Sequence, residues 1–345
     1  MPLADFSSDE LFYLPNLAQI STNGMKQLLS VPASNQSFGL QAMTEEIHAT
    51  FQIESIRSSR NSIRHILNGY APRNEEESRI YGMKRGLDFI ADRQNAITEE
   101  NLHQLYQISS GDYLPDEDRL LPDHFYRHDH VYVVGGEESR EGLPAQQLPD
   151  AMKRLVDFTN AKDGINELHK AAILHFAFAY YHPYFDGNGR TARLLHLWYL
   201  VQQGYPAALF TPFSRYIAES KSTYYKAYAR VEKNALTSGY TDVTPFLSYF
   251  CNEVYNRLQV DVIPPQADLQ VYQTALANGK ITEKERLLWE YVLSAYGTEE
   301  FTTKQLEKDF RNAAYATIRT FVMKFHEMGL LATGKAGNRV YYKVR

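Results

Sequence analysis

Twelve consecutive residues, His182-Pro183-Tyr184-Phe185-Asp186-Gly187-Asn188-Gly189-Arg190-Thr191-Ala192-Arg193, bring together an imidazole, a carboxylate, two glycines, an amide and two guanidinium groups. Packing rarely calls for that mixture; binding and attacking a phosphate does. Backbone N–H groups at a helix start attract anions, helped by the helix dipole. Glycines let the main chain approach a ligand closely. Arg190 and Arg193 are three apart and share a helix face, and two guanidinium forks suit a polyphosphate. Asp186 suits Mg²⁺, which takes one or two carboxylates together with phosphate oxygens. His182 is of the residue type that takes up a proton near neutral pH.

Two helices must hold this run. From Glu167 to Tyr181, apolar residues recur at helical spacing (Leu168, Ala171, Ala172, Leu174, Phe178, Tyr181). Pro183 stops that helix, because the residue before a proline is pushed out of the α region. Arg190 to Gln203 forms a second helical pattern, with Leu194, Leu195, Leu197, Trp198 and Val201 as its buried stripe. Asp186-Gly187-Asn188-Gly189 is then a tight loop opening a helix.

The run resembles the signature of the Fic family, HPFx(D/E)GNGRxxR, with Tyr184 where phenylalanine is commoner. The resemblance implies a mainly α fold with a helical core and a β-hairpin flap. It implies a protein adenylyltransferase that moves AMP from ATP onto a Tyr, Ser or Thr hydroxyl of a target protein, with Mg²⁺ as cofactor. Carried onto this chain, His182 is the general base and Asp186 the metal ligand. Gly187, Asn188 and Gly189 cradle the α- and β-phosphates, Arg190 holds the β-phosphate and Arg193 the γ-phosphate. Thr191 belongs to the same nucleotide-binding run. Such chemistry rests on positioning and charge neutralisation.

Other segments fit the same family. Tyr126 to Gly136 alternates late and ends in a glycine pair, a hairpin signal. The family's flap lies there and aligns the target by strand addition, which makes Val133, Val134 and Gly135 nucleotide-side residues. Tyr224 and Tyr225 resemble the tyrosine pair lining the adenine pocket, with Tyr224 the preferred contact; Asn234 stands further along than the family's usual asparagine. Met43 to Leu67 carries one helical pattern, and within it Thr50-Phe51-Gln52-Ile53-Glu54-Ser55 resembles the inhibitory motif (S/T)xxxE(G/N), with Ser55 at the last position. By that resemblance Glu54 pairs with Arg193 and keeps it from the γ-phosphate.

Composition frames these expectations. The chain has 345 residues, enough for two or three domains. Its 44% hydrophobic and 22% charged content fits an ordinary globular protein. A net charge of −5 gives no global nucleic-acid signal, and a lone Cys251 excludes an intramolecular disulfide. The first twenty residues hold acids and no Lys or Arg, unlike a secretory signal. No stretch approaches the roughly 18 apolar residues of a membrane helix. A cytoplasmic, membrane-free location is expected.

The breaks suggest three regions. Residues 1–96 form an N-terminal helical region with the inhibitory motif, its first 35 residues a loose arm. Residues 97–262 form the Fic domain, opened by a helix with Thr98 as N-cap. A linker around Val262–Asp268 leads to residues 263–345, where three helices and a hairpin resemble a winged helix-turn-helix. Residues 302–345 carry nine Lys/Arg against three acids, so DNA is a candidate partner there, as is a docked protein. Self-association into a homodimer is a further candidate, tied to release of the glutamate. The competing function is a DNA-binding regulator whose Fic-like domain senses nucleotide or modifies itself.

Overall fold

Buried helices organise the computed structural model, which describes residues 2–3, 11–21, 40–134, 139–205, 208, 211–258, 266–296, 300–337 and 339–345. Two compact units appear: Met1–Phe38 with Met43–Gln259, and Gly39–Ala42 with Val260–Arg345.

The larger unit is built on two helices, α6 (Glu167–Tyr181) and α7 (Asn188–Gln202), packed on each other and joined by the loop His182–Gly187. The sequence pattern predicts a one-sided apolar stripe on α7. Instead α7 is buried on all faces, from Asn188 to Val201 with Gly189 the exception. A helix that is buried all round marks the centre of a core. Against this pair pack α3 (Glu75–Ala91), α4 (Glu99–Ser109), α5 (Leu148–Asn160) and α10 (Thr244–Tyr249). Before them in the chain come α1 (Leu40–Ile53) and α2 (Arg60–Leu67). The long α9 (Lys221–Ser238) follows α8 (Phe213–Glu219). Thr98 caps α4 as expected, its hydroxyl accepting from Asn101 N at 3.2 Å.

The single helix expected over Met43–Leu67 is two. α1 stops at Ile53 and α2 starts after the N-cap Ser59. Ser55 takes a left-handed φ of +58°. Ile56 N then bonds Phe51 O at 2.9 Å and Ser55 N bonds Gln52 O at 3.2 Å, the two closing bonds of a Schellman end. Gly and Asn enter this conformation more easily than serine does.

The N-terminal segment is also less loose than expected where it is described. Strands β1 (Pro2–Leu3) and β2 (Leu11–Phe12) pair antiparallel, and β2 pairs parallel with β5 (Thr241–Asp242). Tyr13 and Ala18 are buried in the main core. His169 Nε2 donates to Ala18 O at 2.7 Å and Ser248 Oγ to Leu17 O at 2.7 Å. Between β2 and β5 in sequence lies the two-stranded hairpin of β3 (Tyr132–Val134) and β4 (Ser139–Glu141), with Val133 opposite Arg140. It is shorter than the run from Tyr126 suggests, and Gly135 and Gly136 lie outside the described residues.

The smaller unit holds α11 (Gln266–Ala277), α12 (Glu283–Ala295), α13 (Thr303–Phe310), α14 (Tyr315–Glu327) and the hairpin β6 (Leu331–Ala336) with β7 (Arg339–Val344). Thr282 and Glu285 form a complete capping box at α12. Gly329 ends α14 at φ +80°. Leu288, Trp289, Val292, Phe301, Phe321 and Phe325 make its own core. Among the described residues no helix is long and apolar enough to cross a membrane.

Two histidines, His175 and His196, are at most 1% exposed within the main core. His196 donates through Nε2 to Tyr255 Oη at 2.8 Å, since that hydroxyl donates onward to Leu168 O. His175 Nε2 lies 2.8 Å from Tyr224 Oη. Burial lowers both, His196 to about 3 and His175 well below its ordinary value, His196 and Arg193 adding to the latter shift. The unfolded chain therefore binds protons that the fold excludes. Stability should be complete above pH ~6.5 and fall as pH drops below it, by about 1.4 kcal/mol per unit for His196 until about pH 3, with His175 adding a loss of the same sign. Urea unfolding at pH 7 and pH 5 measures this, and His196→Phe should make the dependence shallower by the share of that one histidine.

Candidate active site

Glu54 stands at the end of α1 and reaches two arginines of α7 at once. Its Oε2 accepts from Arg190 Nε at 2.8 Å, and its Oε1 from Arg193 Nη2. Arg193 Nε donates to Thr50 Oγ1 at 2.6 Å. Thr50 and Glu54 are four apart on one helix, so both face the same guanidinium. Arg190 and Arg193 are almost wholly buried. Burial by itself lowers the Arg193 guanidinium, yet the Glu54 carboxylate beside it outweighs that and holds the group charged.

The loop between α6 and α7 is fixed by its backbone. His182 ends α6 at φ +55°, a left-handed position, with its N–H bonded to Phe178 O at 3.1 Å. Its Nδ1 contacts Ala179 O at 3.3 Å. A carbonyl only accepts, so Nδ1 carries a proton, and in the neutral ring the lone pair is then on Nε2. Arg127, which the sequence does not single out, pins this segment. Its Nε donates to His182 O at 2.8 Å, Nη1 to Asp129 O at 2.6 Å and Nη2 to Leu143 O. Three carbonyls from the loop and from both sides of the β3–β4 hairpin thus share one guanidinium.

Gly187 opens α7 at φ +81°, and a Cβ there would lie 2.8 Å from Ser110 Cβ. Asp186 Oδ1 accepts from Gly187 N at 2.6 Å, and Oδ2 from Arg190 Nη2 at 3.1 Å. The Asn188 side chain is committed to the loop itself. It accepts from Tyr184 N at 2.9 Å and donates to Tyr184 O at 2.8 Å. Thr191 is buried and donates to Gly187 O at 2.9 Å, so it shapes the loop from behind. At Gly189 a Cβ would come within 2.6 Å of Glu54 Oε1. Tyr184 stacks on Tyr106 at 3.5 Å between centroids. Its buried hydroxyl has no hydrogen-bond partner among the described residues, the physical reason phenylalanine suits this position.

A cavity of about 550 Å³ joins these groups. His182, Asp186, Asn188, Gly189 and Arg193 line it, with Glu54 and Ser55 on one side and Tyr132 and Val133 of the hairpin on another. The α9 residues Lys221, Tyr224, Tyr225, Tyr228 and Glu232 complete it. Its size falls in the range of about 300–1,000 Å³ found for small-molecule sites. Gly187, Arg190 and Thr191 stand outside the lining. Tyr224 presents little surface, and its hydroxyl is engaged by His175 and by Tyr228 Oη at 3.3 Å. Asn234 is exposed and not part of the cavity, whereas Glu232 is. The side chain of Val134 and all of Gly135 lie outside the described residues. The sequence signal that could have found Glu232 is its spacing of eight from Tyr224, two helical turns along one face.

Two substitutions test this local physics. Ser55→Gly removes left-handed strain and is expected to raise the unfolding free energy by about 1 kcal/mol. Tyr184→Phe removes an unpartnered buried hydroxyl and is expected to raise it by about 1 kcal/mol. Urea unfolding at neutral pH checks both; a loss of stability in either would refute the stated cause.

Known proteins resemble this chain in sequence and fold. Residues 96–200 match the family model described as Fic/DOC family. "Protein adenylyltransferase Fic" of Drosophila willistoni is 29% identical over 140 residues, covering 39% of this chain and 26% of that protein. "Protein adenylyltransferase fic-1" of Caenorhabditis elegans is 30% identical over 126 residues, 29% of this chain and 25% of that protein. The matched part thus spans about a quarter of these relatives' own length. A crystal structure of a Fic family protein from Desulfovibrio desulfuricans G20 aligns with a TM-score of 0.55 at 17% identity, over 88% of this chain and 86% of that one, a likeness of fold. From the helix capped by Thr98 to the helix bearing both arginines, residues 96–200 match the Fic/DOC family model.

Proposed function

We propose that this protein is an adenylyltransferase that transfers AMP from ATP to a hydroxyl side chain of another protein, and that Glu54 restrains it. The observation that carries this reading is the single cavity in which the His182 imidazole, the Asp186 carboxylate and the Arg193 guanidinium meet. The relatives named as protein adenylyltransferases support it.

In the reaction the target hydroxyl oxygen attacks the α-phosphorus of ATP. The P–O bond to the bridging α–β oxygen breaks and pyrophosphate leaves. His182 Nε2 takes the hydroxyl proton. The N–H groups at the start of α7 and the Gly189 surface receive the phosphates, and Arg190 and Arg193 neutralise them. Tyr224 and Tyr225 border the base, and the β3 edge at Val133 receives the target by strand pairing. Asp186 fits a magnesium ion: its side chain is about half exposed at the cavity, and one carboxylate with phosphate oxygens is the usual set. The ion would supply charge neutralisation of the leaving pyrophosphate.

Glu54 occupies the hydrogen-bonding face of both arginines, which places it in competition with the nucleotide's phosphates. Glu54→Gly is expected to raise AMP labelling of target and self by about tenfold or more, the size of one charge-assisted contact. His182→Ala is expected to lower it by about 10²–10⁴-fold. Labelling with radiolabelled ATP and Mg²⁺ measures both, and UTP, GTP and release of bound AMP are scored alongside. Equal labelling of wild type and Glu54→Gly would remove the restraint from the account.

The C-terminal unit supports an accessory reading as a winged helix that meets nucleic acid. Lys304, Lys308, Arg311, Arg319, Lys335, Arg339, Lys343 and Arg345 are all exposed. Lys324 instead pairs with Glu285 at 2.8 Å. Binding to duplex DNA should weaken steeply between about 50 and 200 mM salt; a flat response favours protein docking.

A further inference from the structure

One face of α1 carries three acceptors at four-residue intervals: Glu46, Thr50 and Glu54. Thr50 and Glu54 meet the arginines of α7. Glu46 meets something else. Its Oε2 accepts from Ser214 N at 2.9 Å and its Oε1 from Ser214 Oγ. Ser214 lies in the first turn of α8, where backbone N–H groups lack partners within the helix. Glu46 is 1% exposed, against 19% for the Glu54 side chain.

A carboxylate buried this far from water is costly unless its oxygens are satisfied. Burial pushes the Glu46 carboxyl up, while the two bonds from Ser214 and the charge of Arg193 pull it down. Moving α1 outward would strip Glu46 of both bonds and leave Ser214 N–H buried and unpaired. Glu54, at the wetter end, can let go of its arginines and find water. The two ends of the stripe therefore differ in how readily they release.

We propose that Glu46 is a positioning residue for the restraint: its bonds to Ser214 hold α1 in the register and at the depth where Glu54 reaches Arg190 and Arg193. Glu46 touches neither nucleotide nor target and acts only through Glu54. The inference rests on the reading of Glu54 as inhibitory.

The experiment measures AMP labelling by full-length variants, with circular dichroism as a check of folding. Glu46→Ala is expected to raise labelling about three- to tenfold with Glu54 still in place, the size of one or two lost hydrogen bonds. An unfolded chain cannot label, so a rise cannot come from unfolding. Glu46→Gln keeps an acceptor for Ser214 N and a group that can bond Ser214 Oγ, and it is expected to stay near the wild-type rate. Glu46→Ala with Glu54→Gly is expected to label no more than Glu54→Gly alone. If Glu46→Ala does not fold, Ser214→Ala is the deciding variant and is expected to raise labelling about two- to fivefold through loss of one bond. A rise in Glu54→Gly with wild-type rates in Glu46→Ala, or in Ser214→Ala where that variant decides, overturns the positioning role. A Glu46→Gln rate as high as that of Glu46→Ala also overturns it, because charge and not bonding would then be responsible. No rise in Glu54→Gly itself fails the inhibitory reading instead.

Discussion

Two guanidinium groups buried in the middle of the protein require a nearby negative charge, and the rest of the site follows from how that demand is met. Arg190 and Arg193 lie on a helix enclosed on nearly every face, so water screens them little. An unpaired charge in such a place is several kcal/mol too costly to persist. Asp186 answers part of the demand at Arg190, and Glu54 answers both arginines together. In the proposed function, the triphosphate of the nucleotide is the other anion that would do so. The proposed restraint is thus a choice between two counter-ions for one buried pair of cations.

The residues that define the site sit at helix ends in left-handed backbone. Ser55 follows α1, His182 ends α6 and Gly187 precedes α7, each at positive φ. A reversal of this kind turns the chain sharply and leaves main-chain donors and acceptors pointing outward. That is how Glu54, the imidazole and the N–H groups at the start of α7 converge from three different helices. The surrounding side chains then lock what the turns begin: Asn188 clamps Tyr184, Thr191 holds Gly187, and Arg127 ties the loop to the hairpin.

Much of this could be read from residue order, and what escaped has identifiable causes. The helix–loop–helix around His182, the cap at Thr98 and the hairpin with Val133 follow from periodicity and breakers, which act locally. The break at Glu54–Ser59 escaped because apolar spacing continues through Ile56 and Ile63, and a serine gives no left-handed signal. The all-round burial of α7 escaped because Arg190, Arg193 and His196 look like a solvated face until their partners, some 60 to 140 positions away, are known. Arg127 and Glu46 escaped for the same reason: each is defined by bonds to distant backbone, which no local pattern encodes. The first-described N-terminal residues looked loose because their tethers, among them Thr244 and Asn256, come from the far end of the domain.

Gly189 has a consequence of a different kind. The space its missing side chain leaves is filled, in this conformation, by a carboxylate oxygen of Glu54, and the same space faces the cavity where phosphates would lie. Under the proposed function, two rival tenants would share one vacancy. A lineage that dispensed with the restraint would be free to let Glu54, Thr50 and Glu46 drift, while this glycine would stay fixed by its remaining tenant. Loss of control and loss of catalysis would therefore leave different traces in descendants, the first written on α1 alone and the second on the opening turn of α7.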